Sequence, residues 1–147
     1  LSEQQLWGAI LATAAATKVD SVVVEIAAEA KEHLSDTAYE AALGAATIMG
    51  MNNIFYRTRG FLHGAYDDQR ANLRMQIIGK NGGIEKMDFE MFALAVSAVN
   101  GCSHCVEAHE HTVREEGATK EQVNDLIRIA ATLGVVAQGI QLAEALG

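Results

Sequence analysis

Apolar residues recur along this chain with the three-to-four-residue period of a helix, and no stretch sustains the two-residue alternation of a strand. Val23, Ile26, Ala27, Ala30 and Leu34 follow the i, i+3, i+4 rule. Val123, Leu126, Ile127, Ala130, Leu133, Ala137 and Ile140 make a second stripe near the other end. Half of the residues are apolar but only 5% are aromatic, so the bulk is Ala, Val, Ile and Leu, which suits helices. Proline is absent, where average usage of about 5% would give roughly seven. The spacing predicts an all-α helical bundle, and 147 residues fit one domain, 1-147, with a core of its own.

Local signals divide the chain. Ser2 to Gln5 reads as a capping box before the apolar stretch Leu6 to Ala16. Val22, Val23 and Val24 are locally strand-like, but the longer window favours helix. Ser35 or Asp36 caps a third helix to about Phe55, whose apolar run Ala41 to Met51 reads as buried. Arg57 to Tyr66, with Gly60 and Gly64, reads as an irregular connection. Asp67 or Asp68 starts a helix to about Ile78, Gly79 to Gly83 breaks it, and Asp88 opens another to about Asn100. The next segment ends at Gly117, and Thr119 with Gln122 makes a further capping box. A shift of 85 positions lays Ala45-Ala46-Thr47 on Ala130-Ala131-Thr132 and Leu6-Trp7 on Met91-Phe92. Two similar helical halves, about 1-60 and 86-147, are therefore expected, with only the second chemically active. In the first half Thr17 and Asp20 stand where Cys102 and Cys105 stand in the second.

Charge excludes some functions. A net charge of -8 argues against nucleic-acid binding, which needs clustered cations. The pairs Arg57 with Arg59 and Arg70 with Arg74 are outweighed by the acidic background. No apolar run reaches the roughly 18 residues of a membrane span. No signal peptide is visible, and the chain begins at Leu1 rather than Met, so a preceding segment is expected. Two cysteines in one C-x-x-C are too few for a secreted disulfide framework. In that setting the spacing points to redox chemistry or metal, and to the cytoplasm.

The chemistry concentrates in Asn100 to His111, which holds both cysteines and three of the five histidines. On one helix, at about 100° per residue, Cys102, Cys105, Val106, His109 and Val113 share an arc. His104, Glu107, His111, Arg114 and Glu115 lie opposite. Cys105 and His109 are one turn apart, a thiol with a base beside it. An imidazole partner and a helix N-terminus both favour the thiolate. A peroxide turns a thiolate into a sulfenic acid, and a neighbouring thiol condenses with it to a disulfide. Cys105 is thus the expected nucleophile and Cys102 the resolving thiol. Zinc is the rival reading: Cys102, Cys105 and His109 give three ligands where a structural site wants four. A c-type haem fails because Val106 follows Cys105. His33, His63 and His111 read as surface residues. Glu90, the only charge from Phe89 to Val99, is either a carboxylate favoured by a helix N-terminus or a buried one that passes protons to the thiol–imidazole pair. Glu107, Glu110, Arg114, Glu115 and Glu116 read as a solvated helix face or a guide for docking.

Glu90, eleven residues, Cys102-Ser103-His104-Cys105, three residues and His109 together resemble the signature of the alkyl hydroperoxidase D family. The stretches "EQQLWGAILATAAAT", "HLSDTAYEAALGAATIMGMNNIFYR" and "FALAVSAVNGCSHC" resemble its full-length, two-half members, so the likeness covers essentially the whole chain. The resemblance implies an all-α fold with a duplicated unit, homotrimers, and thiol-dependent reduction of alkyl hydroperoxides. It also implies service to a partner peroxiredoxin. No bound cofactor or metal is implied. Electrons would come through lipoyl groups carried by 2-oxoacid dehydrogenase acyltransferases with their dihydrolipoamide dehydrogenase. On this likeness Cys105 forms the sulfenic acid, Cys102 closes the disulfide, Glu90 and His109 relay protons, and His104 supports. Helices Ala38 to Met51 and Phe89 to Val99 are apolar nearly all round, which also points to assembly. Two alternatives stay open: a carboxymuconolactone decarboxylase-like enzyme on the same scaffold, and a non-catalytic zinc-binding or interaction module.

Overall fold

A computed structural model describes residues 1–147 as helices joined by turns, with no strand. The helices are α1 (Glu3–Thr17), α2 (Asp20–Ala30), α3 (Asp36–Phe61), the single turn α4 (Gln76–Gly79), α5 (Lys86–Asn100), α6 (Ser103–Glu115) and α7 (Lys120–Leu146). Asn81–Gly83 is a 3-10 turn. Sequence capping signals set several starts. Ser2 with Gln5 and Thr119 with Gln122 form complete capping boxes, and the Ser35 hydroxyl accepts from the Ala38 N–H. α6 stops at Gly117, whose φ of +103° lets the Ala118 N–H return to the Val113 carbonyl.

The bundle is organised around α5. From Asp88 to Ser97 every residue is buried, and α1, α3, α6 and α7 pack around it. Phe89, Met91, Phe92, Leu94 and Val96 fill the core with Leu11, Met49 and Leu126. Helix α1 comes very close, because Gly8 faces the Phe92 ring. Its N-terminus is tied to that of α5: Gln4 and Gln5 each donate a side-chain N–H to Asp88, at 2.7 and 2.8 Å. A carboxylate buried this way keeps partners for both oxygens. Adding 85 to the bounds of α1, α2 and α3 gives 88–102, 105–115 and 121–146, within two residues of the bounds of α5, α6 and α7.

Several expectations need correction. The stretch from Arg57 is not irregular at first, since α3 continues to Phe61. Gly60 lies in the last turn, where a helical glycine costs only about 1 kcal/mol, too little to end the helix. The helix expected from Asp67 or Asp68 to Ile78 shrinks to one turn, α4, preceded by turns over 62–69 and irregular chain over 70–75. Residues 61–70 are all exposed, and a short helix without a buried face is marginal. Helix α5 is covered within a single chain, so it does not itself call for assembly. The apolar run of α3 is only half buried, with Thr47 and Gly50 exposed. The uncovered apolar side chains sit elsewhere, on α7 (Ile127, Val135, Val136, Leu142) and near the end of α3 (Ile54, Phe61). Contrary to the expectation that no apolar run is long enough, α7 could cross a membrane by length and composition. Its stripe Val123, Leu126, Ala130, Leu133 and Ala137 is nonetheless packed against the bundle. His33 is more than a surface residue. It stacks on Trp7 with ring centroids 4.2 Å apart and bonds to Glu3 at 2.8 Å.

Two measurements check this packing. Alanine is the better helix former, but a Cβ on Gly8 would sit 2.0 Å from Cζ of the fully buried Phe92. Gly8→Ala is therefore expected to lose roughly 1–3 kcal/mol, read as a lower urea midpoint. The Glu3 carboxylate, opposed by desolvation and helped by Glu29, holds His33 above its ordinary imidazole value. A raised folded-state value stabilises fully below the unfolded pKa of about 6.5 and fades as pH rises through the folded one. His33→Gln should lower the melting temperature at pH 5.5 more than at pH 9.

Candidate active site

The dithiol segment owes its position to a glycine. Gly101, at φ +70°, closes α5: its N–H bonds to Ala98 and the next N–H, of Cys102, bonds to Ser97. The chain reverses there, and Cys102 becomes the N-cap of α6 directly after the most buried helix. The Cys102 sulfur accepts from the Cys105 N–H at 3.3 Å. Cys102 and Cys105 are joined as a disulfide with Cα atoms 5.3 Å apart. Cys102 is wholly buried and Cys105 is 4% exposed. Cys105 Sγ lies 3.8 Å from the Asn52 carbonyl of α3, to which its thiol can donate once the disulfide opens.

Behind the sulfurs lies an acid–base pair of a buried carboxylate and a partly buried imidazole. Glu90 stands past the first turn of α5 and is 8% exposed. His109, one turn after Cys105 on α6, donates from Nδ1 to Glu90 Oε2 at 2.5 Å. With Nδ1–H held by the carboxylate, Nε2 is the nitrogen left to take or give a proton. Burial of the pair strengthens the bond, because little water competes for it. The arrangement can orient an imidazole and balance its charge when it protonates. Of the two readings of Glu90, the contact is that of a buried carboxylate facing the thiol–imidazole segment. No three His, Cys, Asp or Glu side chains gather as a metal-ligand group while the two cysteines are joined to each other.

A polar clamp fixes the turn that presents the cysteines. Asn53 of α3 donates to Ser97 Oγ at 2.9 Å and accepts from Asn100 Nδ2 at 2.9 Å. Arg57 donates to the Asn100 carbonyl at 2.6 Å. Asn52 donates to Met75 Sδ at 3.1 Å, while its own Oδ1 is buried without a partner. His104 is exposed and stacks on Tyr56 with centroids 5.2 Å apart. These two, with Arg59, Gly60, Gly64 and Asp67, line a pocket of about 300 Å³ at the start of α6.

Known proteins share this sequence. Residues 65–146 match the carboxymuconolactone decarboxylase family, more than half of the chain and all of the dithiol region. The alkyl hydroperoxide reductase AhpD of Rhodococcus erythropolis is 60% identical over 146 residues, 99% of this chain and 81% of that protein. Its namesake in Nocardia farcinica is 58% identical over the same shares. That of Mycobacterium tuberculosis is 56% identical, over 99% of this chain and 82% of the relative. The chain belongs to the AhpD family.

In this AhpD-family chain Glu90, Cys102, Cys105 and His109 come together from α5 and α6. His104 stays apart from that buried group, on the outward arc where the helical wheel puts it. Sequence reading passed over Asn52, Asn53, Ser97, Asn100 and Arg57. One signal was available: two adjacent asparagines, poor helix formers, in the otherwise apolar stretch "IMGMNNIF". Such residues persist mid-helix when a buried partner needs them. Asn53→Ala should strand the Ser97 and Asn100 polar groups and cost about 1–3 kcal/mol in chemical denaturation. It should also speed alkylation of the reduced cysteines as the turn loosens.

Proposed function

We propose that this chain is a thiol-dependent antioxidant oxidoreductase that reduces alkyl hydroperoxides, regenerates a partner peroxiredoxin, or does both. The observation that carries the reading is the Cys102–Cys105 pair at the start of α6 with the buried Glu90–His109 pair one turn on. The relatives' name, alkyl hydroperoxide reductase, supports the same reaction class.

In the reduced protein the Cys105 thiolate attacks one oxygen of the hydroperoxide. The O–O bond breaks, Cys105 becomes a sulfenic acid, and the departing alkoxide takes the proton held at His109 Nε2 and leaves as alcohol. Glu90 balances the imidazolium while it lasts. Cys102 then attacks the Cys105 sulfur, the S–S bond forms, and the hydroxyl leaves as water. Two electrons and two protons from another dithiol restore the pair by exchange. The donor is a lipoyl group on a 2-oxoacid dehydrogenase acyltransferase, recharged by dihydrolipoamide dehydrogenase, and the chain needs no bound cofactor of its own. His104 supports from the pocket rim. The protein works in the cytoplasm as a homotrimer, a state favoured by the uncovered apolar residues of α7. Two halves, about 1-60 and 86-147, divide the fold, the second holding the chemistry.

A coupled assay tests this: NADH oxidation with dihydrolipoamide dehydrogenase, a lipoyl carrier and an alkyl hydroperoxide, with and without a peroxiredoxin. Cys105→Ser should abolish turnover. Glu90→Gln should lower it about 10²-fold, within the usual range for a lost acid–base function. A reduced, metal-free protein with no turnover in either mixture sinks the reading. One tightly bound zinc per chain would favour the zinc module instead.

A further inference from the structure

The protein is acidic, but not evenly so. Residues 55–81 carry Arg57, Arg59, Arg70, Arg74 and Lys80 against only Asp67 and Asp68, a balance of +3 in 27 residues. The other 120 residues carry six cations against seventeen carboxylates, a balance of -11. The one basic stretch of the chain is also the one that borders the disulfide. Tyr56 and Arg59 line the pocket with His104, next to Cys105. Arg70 follows Gln69, whose carbonyl accepts from Arg59 Nη2 at 2.9 Å. Arg74 precedes Met75, whose sulfur accepts from Asn52, the residue whose carbonyl faces Cys105 Sγ. Arg57 is engaged with Asn100 and Arg59 lies over the Phe55 ring, whereas Arg70 and Arg74 are exposed and pair with no carboxylate. Between them the surface shows Phe61 (70% exposed), Leu62 and Tyr66.

The disulfide itself is out of reach of a large body. Cys102 and Cys105 are buried, and the nearest pocket in sequence terms, about 300 Å³ and lined by His104, is of small-molecule size. A slender dithiol can approach buried sulfurs where a folded domain cannot, and a bulky carrier stays on the surface around them. A basic stretch on an acidic protein attracts an acidic carrier at short range, while salt screens more distant charges over a Debye length of about 10 Å at 0.1 M.

We infer that the basic surface of residues 55–81 docks an acidic protein that delivers a dithiol on a narrow arm to the Cys102–Cys105 disulfide. This rests on the dithiol-donor reading of the site. In the step served, a thiolate of the arm attacks one cysteine sulfur, the S–S bond breaks, and a mixed disulfide forms. The arm's second thiol displaces the protein sulfur, leaving the arm oxidised and both cysteines reduced, with the two protons of the dithiol on their thiols. Electrostatic steering speeds the encounter and falls steeply with salt.

The test uses three synthetic carriers: dihydrolipoyl-lysine flanked by aspartates, the same flanked by lysines, and free dihydrolipoamide. Reduction of the full chain is followed by alkylation and intact mass. At about 20 mM salt the aspartate carrier should react at least ~10-fold faster than the lysine carrier, and about 0.5 M salt should erase the gap. Arg70→Glu with Arg74→Glu should close or invert the gap and leave the dihydrolipoamide rate unchanged. Lys31→Glu with Lys120→Glu, equal in net charge but remote in sequence, should keep most of it. Equal rates for the two carriers, a gap that survives the arginine pair, or one lost equally in the lysine pair overturns the docking surface alone. So does a changed oligomeric state of the arginine variant by light scattering, which would assign the surface to a second copy. Failure of dihydrolipoamide to open the disulfide overturns the donor reading and the docking surface with it.

Discussion

Burying α5 on every side is the constraint on which the rest of this structure depends. Ten consecutive residues, Asp88 to Ser97, lie in the interior, and α1, α3, α6 and α7 are placed by covering them. Two of those ten are carboxylates, and an unpaired buried charge is costly, several kcal/mol in proteins generally. Each is therefore answered. Asp88 draws Gln4 and Gln5 and so sets the end of α1. Glu90 draws His109 and so sets the rotation of α6. A helix that turns His109 toward Glu90 must turn Cys105 the same way, since the two are one turn apart. The acid–base pair and the inward sulfur are one geometric fact.

The connection at Gly101 completes that placement. A left-handed residue allows the chain to leave α5 and enter α6 without a loop, so the N-terminus of α6 begins at Cys102. The sulfurs then sit where helix N–H groups point, and the Asn53 clamp prevents the turn from drifting. The turn that presents the sulfurs is thus braced from behind by α3. Near the end of α3, Arg59 meets His104 at the pocket by the start of α6. Arginine pairs that look insignificant against a net charge of -8 give residues 55–81 a local balance of +3.

Much of the fold was legible in the sequence because its causes are local. Apolar spacing, the two capping boxes and the glycines at 101 and 117 act over a few residues, and helices α1, α2, α5, α6 and α7 follow from them. The errors fall between Arg57 and Ile78, where composition offers helix formers and breakers in similar measure. There the outcome turns on whether a face finds something to pack against, which a single-chain pattern does not contain. The candidate site was legible in the same proportion. Cys102, Cys105 and His109 lie on one helix, so a wheel relates them.

Glu90 and the asparagine clamp lie on other helices, and no local spacing could relate them to the sulfurs. The sequence by itself determined the class of the fold, the helix that carries the dithiol, and which face of it bears the cysteines and His109, because all of these follow from backbone periodicity. Only the tertiary structure decided that Glu90 meets His109 and that Asn53 holds the turn. It alone decided that Arg59, in the one cationic stretch, meets His104 at the pocket. Those contacts span nineteen residues and more, and only the packing of α3, α5 and α6 against one another brings them within hydrogen-bond reach.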